Sequence, residues 1–213
     1  MPALELLVFV GTEGVYRDHA GQGQFLAEML SASGEIRADF SQDYEVLAGG
    51  LAPYGAVLFY TDVGALTAAQ EQGLLEFVEQ GGGFLGLHTA AASFRDAPGY
   101  HRMLNAFFDG HSPYMDFVVT VTDPADPIVA GLGPFTVTDE LYYLKHDPAT
   151  SHHLLQACDP TRNQTHVMAF RHTWGQGRVF YFALGHDRAV LEHPAFQQVA
   201  RRGALWAGGR LGP

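Results

Sequence analysis

A short apolar strand, enclosed between glycines and a histidine, constrains the fold of this chain most strongly. In the stretch QGGGFLGLHTAAA (residues 80–92), Gly81 to Gly83 end a helix, Phe84 to Leu87 form a strand, and His88 follows at a turn. The residue at the carboxyl end of a strand in an α/β sheet points into the crevice where ligands bind. The pattern G-x-H-x-A also has the form of a nucleophile elbow. The sequence therefore predicts a functional His88, and a histidine on an ordinary loop is the alternative.

Strand and helix patterns alternate through the first half of the chain. Residues 4–10 (LELLVFV) are almost continuously apolar, as expected of a strand that helices cover on both faces. A polar loop is predicted over residues 11–23 and contains His19. Thr67 and Gln70 form a capping box, which predicts a helix as far as Glu79. Two further strands are predicted at 35–40 and 56–60, and two further helices at 25–34 and near 43–51. Such alternation predicts a parallel, doubly wound sheet with right-handed crossovers.

The second half has a different pattern. A helix is predicted to start near Pro98 and to include Phe107, and the last helix is predicted from Pro194 to Trp206. Between them, short alternating runs indicate strands that extend the sheet edge in antiparallel fashion. These strands are predicted at 115–122, 135–138, 141–144, 153–157, 167–172 and 178–184, with a hairpin turn at 175–177. No repeat or linker divides the chain, so residues 1–213 are predicted to form a single domain.

Composition narrows the classes of partner. With 12 Lys and Arg against 23 Asp and Glu, the formal net charge is −11, which makes nucleic acid and anionic membranes poor partners. The single Cys158 excludes an intrachain disulfide and a cysteine-built zinc site. The amino terminus MPALELLVFVG lacks the features of a signal peptide, and no apolar run reaches membrane-spanning length. A cytoplasmic protein is therefore expected, and apolar edges of the antiparallel segment favour a homodimer.

Eleven histidines are an unusual number for 213 residues. Five of them are predicted to be surface or capping residues, namely His101, His146, His152, His153 and His193. His166 and His172 lie in a predicted strand, where one could line the site, although a half-buried structural histidine is an equal alternative. Three others resemble His88 in their position. His19 follows the first strand, and His111 and His186 each follow a glycine, which lets the backbone approach another group closely. If the strands are parallel neighbours, these side chains converge at one edge of the sheet.

An acidic segment could complete such a site. Asp139 and Glu140 lie at a predicted strand end, with Tyr142 two residues further on, although a solvated turn is an equal alternative. Imidazoles with one carboxylate are usual ligands for a divalent first-row metal, here zinc, manganese or nickel, and His111, His186 and Glu140 are the candidate ligands. The same residues could instead perform acid–base catalysis without a metal. The sequence does not separate these two possibilities.

The segments GGGFLGLHTAAASF, LNAFFDGH, DPADPIVAGL, TDELYYL, GQGRVFYFALGHD and GALWAGG, in this order, closely resemble the ThuA-like, or trehalose-utilisation, family. The resemblance covers about residues 4–209. It implies a flavodoxin-like three-layer αβα sandwich of the class I glutamine amidotransferase type, with a mostly parallel sheet and added antiparallel strands. It also implies a role in sugar catabolism, alongside dehydrogenases that make 3-keto sugars.

The sequence departs from the amidotransferase pattern at the residues that matter for glutamine hydrolysis. The elbow carries His88 where an amidotransferase has cysteine, and Arg188 stands where the glutamate of its His-x-Glu motif would be. An imidazole cannot form the thioester of that reaction, so glutaminase activity is not expected. Within the ThuA-like pattern, the usual His-Pro reads His166-Val167, and the usual tryptophan is Phe170.

The sequence therefore predicts an enzyme acting on a sugar or keto-sugar derivative by His/Glu acid–base chemistry, with a metal optional. The predicted catalytic residues are His88, Glu140, His186 and His111. The predicted substrate-binding residues are His19, Tyr142, Asp139, His166 and Trp174. One alternative is a non-catalytic sugar-binding or regulatory module, in which Tyr16, Tyr142, Tyr143 and Trp174 stack on sugar faces. Another is a metal-binding protein with an unrelated hydrolytic activity.

Overall fold

A nine-stranded mixed sheet forms the centre of the computed structural model, which describes residues 2–11 and 18–212. The strands in chain order are β1 (Leu4–Phe9), β2 (Ile36–Ser41), β3 (Ala56–Phe59), β4 (Gly83–Leu87), β5 (Phe107–His111), β6 (Met115–Val121), β7 (Phe135–Asp139), β8 (Tyr142–Lys145), β9 (His152–Asp159), β10 (Gln164–Trp174) and β11 (Gly177–Phe182). The sheet order is β2-β1-β3-β4-β11-β10-β9-β6-β7, and β5 pairs separately with β8.

The first five strands of that order are parallel to one another. Their order, 2-1-3-4 followed by β11, is that of flavodoxin-like sheets, whose ligands bind beyond the carboxyl ends of the strands. Strands β3 and β4 are buried throughout, which explains their uninterrupted apolar sequences. The remaining four strands are antiparallel. The predicted mostly parallel sheet with antiparallel additions is confirmed.

Helices cover both faces of the sheet. They are α1 (His19–Ser31), α2 (Val46–Gly49), α3 (Ala68–Glu79), α4 (Pro98–Leu104), α5 (Arg188–Glu192) and α6 (Pro194–Ala207). Helices α1 and α6 contact each other on one face, while α3 contacts α2 and α4 on the other. This arrangement confirms the three-layer αβα sandwich. None of the helices among residues 2–11 and 18–212 has the length and apolar character that crossing a bilayer requires.

The antiparallel strands curve back toward the parallel ones. Strand β7 lies four places from β11 in the sheet order, which in a flat sheet corresponds to roughly 19 Å. Nevertheless, Oδ2 of Asp139 at the end of β7 accepts a hydrogen bond from the backbone of Gly185, just after β11, at 2.9 Å. The curvature therefore brings the acidic segment to the crevice edge of the parallel sheet.

The helix predicted from Pro98 to Phe107 is shorter than expected. It ends at Leu104 because Asn105 adopts a left-handed conformation with φ of 53°. The Asn105 side chain then bonds the backbone of Asp147, accepting from its N–H at 2.9 Å and donating to its carbonyl at 3.0 Å. This anchor aligns residues 107–111 as strand β5 against β8, so the prediction that the helix includes Phe107 was wrong.

The polar loop predicted over residues 11–23 is also shorter than expected. Helix α1 already begins at His19, since Asp18 caps it by accepting a hydrogen bond from the N–H of Gly21 at 2.9 Å. Gly23 lies within this helix, and it is a glycine because a Cβ there would come within 2.4 Å of Val10. By contrast, the capping box of Thr67 and Gln70 at the start of α3 is confirmed.

Candidate functional site

His88 occupies a strained turn directly after β4. It has φ of 43°, a left-handed conformation that is uncommon for residues other than glycine, and its side chain is fully buried. The Tyr181 hydroxyl donates a hydrogen bond to the His88 carbonyl at 2.8 Å. Nδ1 of His88 lies 2.8 Å from the carbonyl oxygen of Ala183 and must donate to it, because a carbonyl has no hydrogen. The ring is therefore fixed with Nε2 directed at the crevice.

Gly185 carries His186 into contact with this turn. Gly185 has φ of 134°, and a Cβ at this position would lie 3.4 Å from Cβ of His88. The Tyr60 hydroxyl holds the Gly185 carbonyl at 2.8 Å. The ring centroids of His88 and His186 are 5.7 Å apart. The close backbone approach predicted from the glycine is thus present beside His88.

Glu140 is the centre of a group of imidazoles. Its Oε2 lies 3.1 Å from Nδ1 of His186 and 3.7 Å from Nε2 of His88, and its Oε1 lies 3.7 Å from Nδ1 of His111. The side chains are graded in depth: His88 is 0 % exposed, Glu140 17 %, His186 26 % and His111 42 %. The four residues predicted to be catalytic thus meet in one place, with His88 at the base and His111 at the mouth.

Asp139 supports this group from behind. The side chain is fully buried, and its two oxygens accept hydrogen bonds from the N–H groups of Glu140 and Gly185 at 2.7 and 2.9 Å. Burial raises its pKa from 3.8 to about 7, although the two backbone hydrogen bonds oppose that rise. Asp139 therefore fixes the segments that carry Glu140 and His186, and the structure places it away from the substrate contact expected from the sequence.

The residues that could hold a metal ion differ by one from those expected. His88, Glu140 and His186 each offer a ligand atom, and these atoms all lie within 4.8 Å of one another. Metal-binding histidines usually donate their other ring N–H to a carbonyl or carboxylate, as His88 does to Ala183. Nδ1 of His111 lies 2.6 Å from the carbonyl oxygen of Ser112, so it serves as a donor there. His88, rather than His111, thus completes the geometric set.

Two of the expected substrate-binding residues lie beside this group. The ring of Tyr142 is 4.2 Å from that of His88, but Tyr142 is only 2 % exposed and so supports His88 from inside. His19 is 4 % exposed, and its Nε2 lies 4.0 Å from Asp62. Its ring is 5.4 Å from Tyr60, which in turn holds Gly185. Both residues are buried and pack around the site, whereas the sequence predicted that they bind substrate.

The other expected substrate-binding residues lie elsewhere. Trp174 pairs with Gly177 at the start of β11, the end of that strand opposite to His186. The ring of His166 on β10 lies 4.5 Å from that of Tyr143, which is 9 % exposed. Tyr16, suggested as a stacking residue, lies outside the described residues.

Sequence reasoning missed two residues at the mouth of the site. Tyr114 lies in the loop between β5 and β6, and its ring centroid is 5.1 Å from that of His186. Its hydroxyl donates a hydrogen bond to Oδ2 of Asp187 at 2.6 Å. The position of Asp187 directly after Gly185-His186 was a usable signal, but no sequence pattern marks Tyr114.

A second group of possible ligand residues lies on the antiparallel side. It consists of Asp123, Asp126 and His152, whose ligand atoms also lie within 4.8 Å of one another. Asp126 is fully buried and pairs with Nε of Arg171 at 2.6 Å. His152, 47 % exposed, pairs with Asp123 at 2.9 Å. A guanidinium cation therefore already neutralises the buried acid of this second group.

Comparison with known proteins identifies the family. The family model described as trehalose utilisation, ThuA, matches residues 5–207. The chain belongs to the ThuA family. The fold of this ThuA protein is similar to that of a ThuA-like protein from Parabacteroides merdae, with a TM-score of 0.84 and 20 % identity, covering 99 % of this chain and 92 % of the other. It is also similar to the fold of a ThuA-like protein from Bacteroides uniformis, with a TM-score of 0.80 and 17 % identity, covering 97 % of this chain and 91 % of the other.

The fold is also similar to that of a GMP synthase component from Thermoplasma acidophilum, with a TM-score of 0.61 and 13 % identity, covering 97 % of this chain and 94 % of the other. A comparison with curated proteins gives no match. Membership of the ThuA family suggests a carbohydrate-related role.

Proposed function

We propose that this ThuA protein is an enzyme that acts on a sugar or keto sugar by acid–base chemistry. One observation carries the proposal: the Glu140 carboxylate lies no more than 3.7 Å from ring nitrogens of His88, His186 and His111, in the crevice of the parallel sheet. Imidazoles and carboxylates are the groups that move protons near neutral pH. Fixed hydrogen bonds to His88 and to the backbone of Glu140 keep these groups in position, as catalysis requires.

A keto group makes the neighbouring C–H acidic. The site has groups that can remove this proton and groups that can stabilise the negative charge that develops on the keto oxygen. Glu140 or His186 accepts the proton from carbon, and the 3.1 Å separation lets the pair pass it on. His88 binds a proton at Nε2 when it is charged, and it can donate that proton to the developing oxyanion. Elimination and isomerisation both begin with this step. Hydration is elimination in reverse, so the same groups return the proton to carbon in its last step.

The donor set of His88, Glu140 and His186 also fits a divalent zinc, manganese or nickel ion. Such an ion, when bound, would stabilise negative charge on the oxygen of the enolate. Metal binding can be measured by calorimetry on chelator-treated protein. We expect His186→Ala to weaken binding at least tenfold and His152→Ala to leave it unchanged, and equal loss in both variants would contradict a metal at this site.

The decisive experiment measures exchange of carbon-bound hydrogen. A panel of keto sugars is incubated with enzyme in D2O, and loss of the proton next to the carbonyl is followed by proton NMR. We expect exchange with wild-type protein and a loss of at least 100-fold in Glu140→Gln, since general base catalysis contributes about 10²–10⁴. Glu192→Gln, on an exposed carboxylate of α5, is the matched control. Exchange at the wild-type rate in Glu140→Gln would refute the proposal, and sugar binding without exchange would indicate a binding module instead.

A further inference from the structure

An exposed aromatic ring stands at the mouth of the candidate site. Tyr114 is 46 % exposed, yet its ring centroid lies only 5.1 Å from that of His186. Tyr142, which the sequence suggested for sugar stacking, is 2 % exposed and cannot offer a face to a solute. Tyr114 therefore presents an accessible aromatic surface next to a residue of the proposed reaction centre.

Tyr114 is also held in place, unlike an ordinary surface tyrosine. Its hydroxyl donates to Oδ2 of Asp187 at 2.6 Å. The other oxygen of Asp187, Oδ1, accepts from the N–H of Val190 at 3.1 Å and so caps helix α5. Partial burial, together with the hydrogen bond to Asp187, raises the pKa of the Tyr114 phenol, so the hydroxyl remains a donor. One carboxylate thus ties the ring to the rigid start of a helix.

A fixed, exposed aromatic face is suited to the apolar face of a cyclic sugar. The C–H groups on one face of a pyranose carry partial positive charge, and the face of a phenol ring is electron-rich. An open-chain sugar has no comparable flat face. Fixing the ring beforehand also lowers the entropic cost of binding.

We propose that Tyr114 is a stacking platform for a pyranose ring and that Asp187 is its positioning residue, so that the site selects cyclic sugars over open-chain ones. The inference rests on the proposed function, because it takes the group around Glu140 as the reaction centre. The ring would position the sugar with its reacting carbon toward Glu140 and His186. Tyr114 then contributes to binding rather than to the chemical step.

The role of Tyr114 can be tested by measuring sugar binding and turnover in separate experiments. Affinities for trehalose, methyl glucoside and the open-chain sorbitol are measured by NMR titration of wild type, Tyr114→Ala, Tyr114→Phe and Val118→Ala. Val118 is a matched control because it is also exposed, at 51 %, but lies on β6. We expect Tyr114→Ala to weaken pyranoside binding about tenfold, because the stacking face is lost, and we expect sorbitol binding and the Val118→Ala variant to be unaffected.

Kinetics on the exchanged keto sugar distinguish positioning from a structural role. Tyr114→Ala should raise KM about tenfold with kcat within about twofold, as expected for loss of uniform binding. Tyr114→Phe and Asp187→Ala should each raise KM by a smaller factor, and their combination should be no worse than either alone. Unchanged pyranoside affinity in Tyr114→Ala would overturn the proposal, and so would a wild type that binds no pyranoside at millimolar concentration. Failure of the proposed function would be a different result: Glu140→Gln would exchange the carbon-bound proton at the wild-type rate.

Discussion

Two groups of imidazoles and carboxylates in this molecule are similar in composition and differ in setting. The crevice group of His88, Glu140 and His186 lies beyond β4 and β11, and the outer group of Asp123, Asp126 and His152 lies on the antiparallel side. Each brings three ligand atoms within the same 4.8 Å. Proximity of residue types alone therefore does not distinguish a site from a structural cluster.

The difference lies in what surrounds each group. In the outer group, Arg171 neutralises the buried Asp126, and His152 and Asp123 are open to solvent. In the crevice group, the most buried member is the imidazole of His88. The Ala183 carbonyl accepts a hydrogen bond from its ring, and the Tyr181 hydroxyl donates to its backbone carbonyl. The buried carboxylate of the outer group is thus bound to a guanidinium cation, whereas the crevice group lies at the carboxyl ends of parallel strands, where ligands bind in sheets of this type.

The largest expected contrast is in catalysis. Replacing the crevice histidine, His88→Ala, should lower kcat/KM for the keto sugar about a thousandfold, because an acid–base group contributes about 10²–10⁴. The corresponding change in the outer group, His152→Ala, should leave the rate within about twofold. The proton-exchange rates of the two purified variants measure this contrast. Equal rates would contradict the claim that only the crevice group is catalytic.

The buried acid behind the crevice group should make the stability of the fold depend on pH. Asp139, behind the crevice group, has a pKa raised by burial from 3.8 to about 7 in the folded protein. Between these values the folded protein holds a proton that the unfolded chain has released, so the free energy of unfolding falls as pH rises through this window. Across this window the free energy of unfolding falls by roughly 4 kcal/mol in total.

Asp139→Asn removes this titration, so the wild type should lose roughly 4 kcal/mol relative to the variant between pH 4 and pH 7. Urea unfolding at several pH values measures the effect, with Asp123→Asn as the control. Parallel pH profiles for wild type and Asp139→Asn would show that Asp139 does not titrate in this window.

Removing the buried acid of the outer group should destabilise the fold without affecting catalysis. Asp126→Ala leaves Arg171 without its partner at 2.6 Å and takes away the acceptor of the Ile128 N–H. We expect a loss of about 3 kcal/mol in the free energy of unfolding, as for other broken buried pairs. Urea unfolding tests the stability, and the exchange assay should show an unchanged rate. A loss of turnover in the folded variant would assign function to the outer group.

The smallest effect is expected at the exposed acid of the outer group. Asp123 pairs with His152 on the surface, where ion pairs contribute little to stability. Asp123→Asn should therefore leave the urea midpoint of unfolding close to that of the wild type. A loss as large as that of Asp126→Ala would mean that the two acids act as one unit.

The parallel part of the fold was predictable because its signals are local. The apolar strands, the capping box of Thr67, and the glycine before His186 are visible in short segments of sequence. His88 was found for the same reason, since a strand-to-turn pattern marks it. The helix predicted to Phe107 failed because its end depends on Asn105 bonding Asp147, which is distant in sequence.

The detailed arrangement of the site was not predictable, because it depends on contacts between distant segments. Glu140 reaches the histidines only through the curvature of the antiparallel strands, and that curvature has no local signal. The burial of Asp139 is decided by the same contact. Tyr114 was missed because a tyrosine in a loop has no pattern that separates a platform from an ordinary surface residue.

The most direct test locates the site without altering the protein's chemistry. Protein with 15N-labelled histidine is titrated with an exchanging keto sugar, and the ring signals, assigned by single His→Gln variants, are followed by NMR. A ligand bound at the crevice group should shift the signals of His88 and His186 and leave that of His152 unchanged. Shifts at His152 with unchanged signals from His88 and His186 would contradict the account.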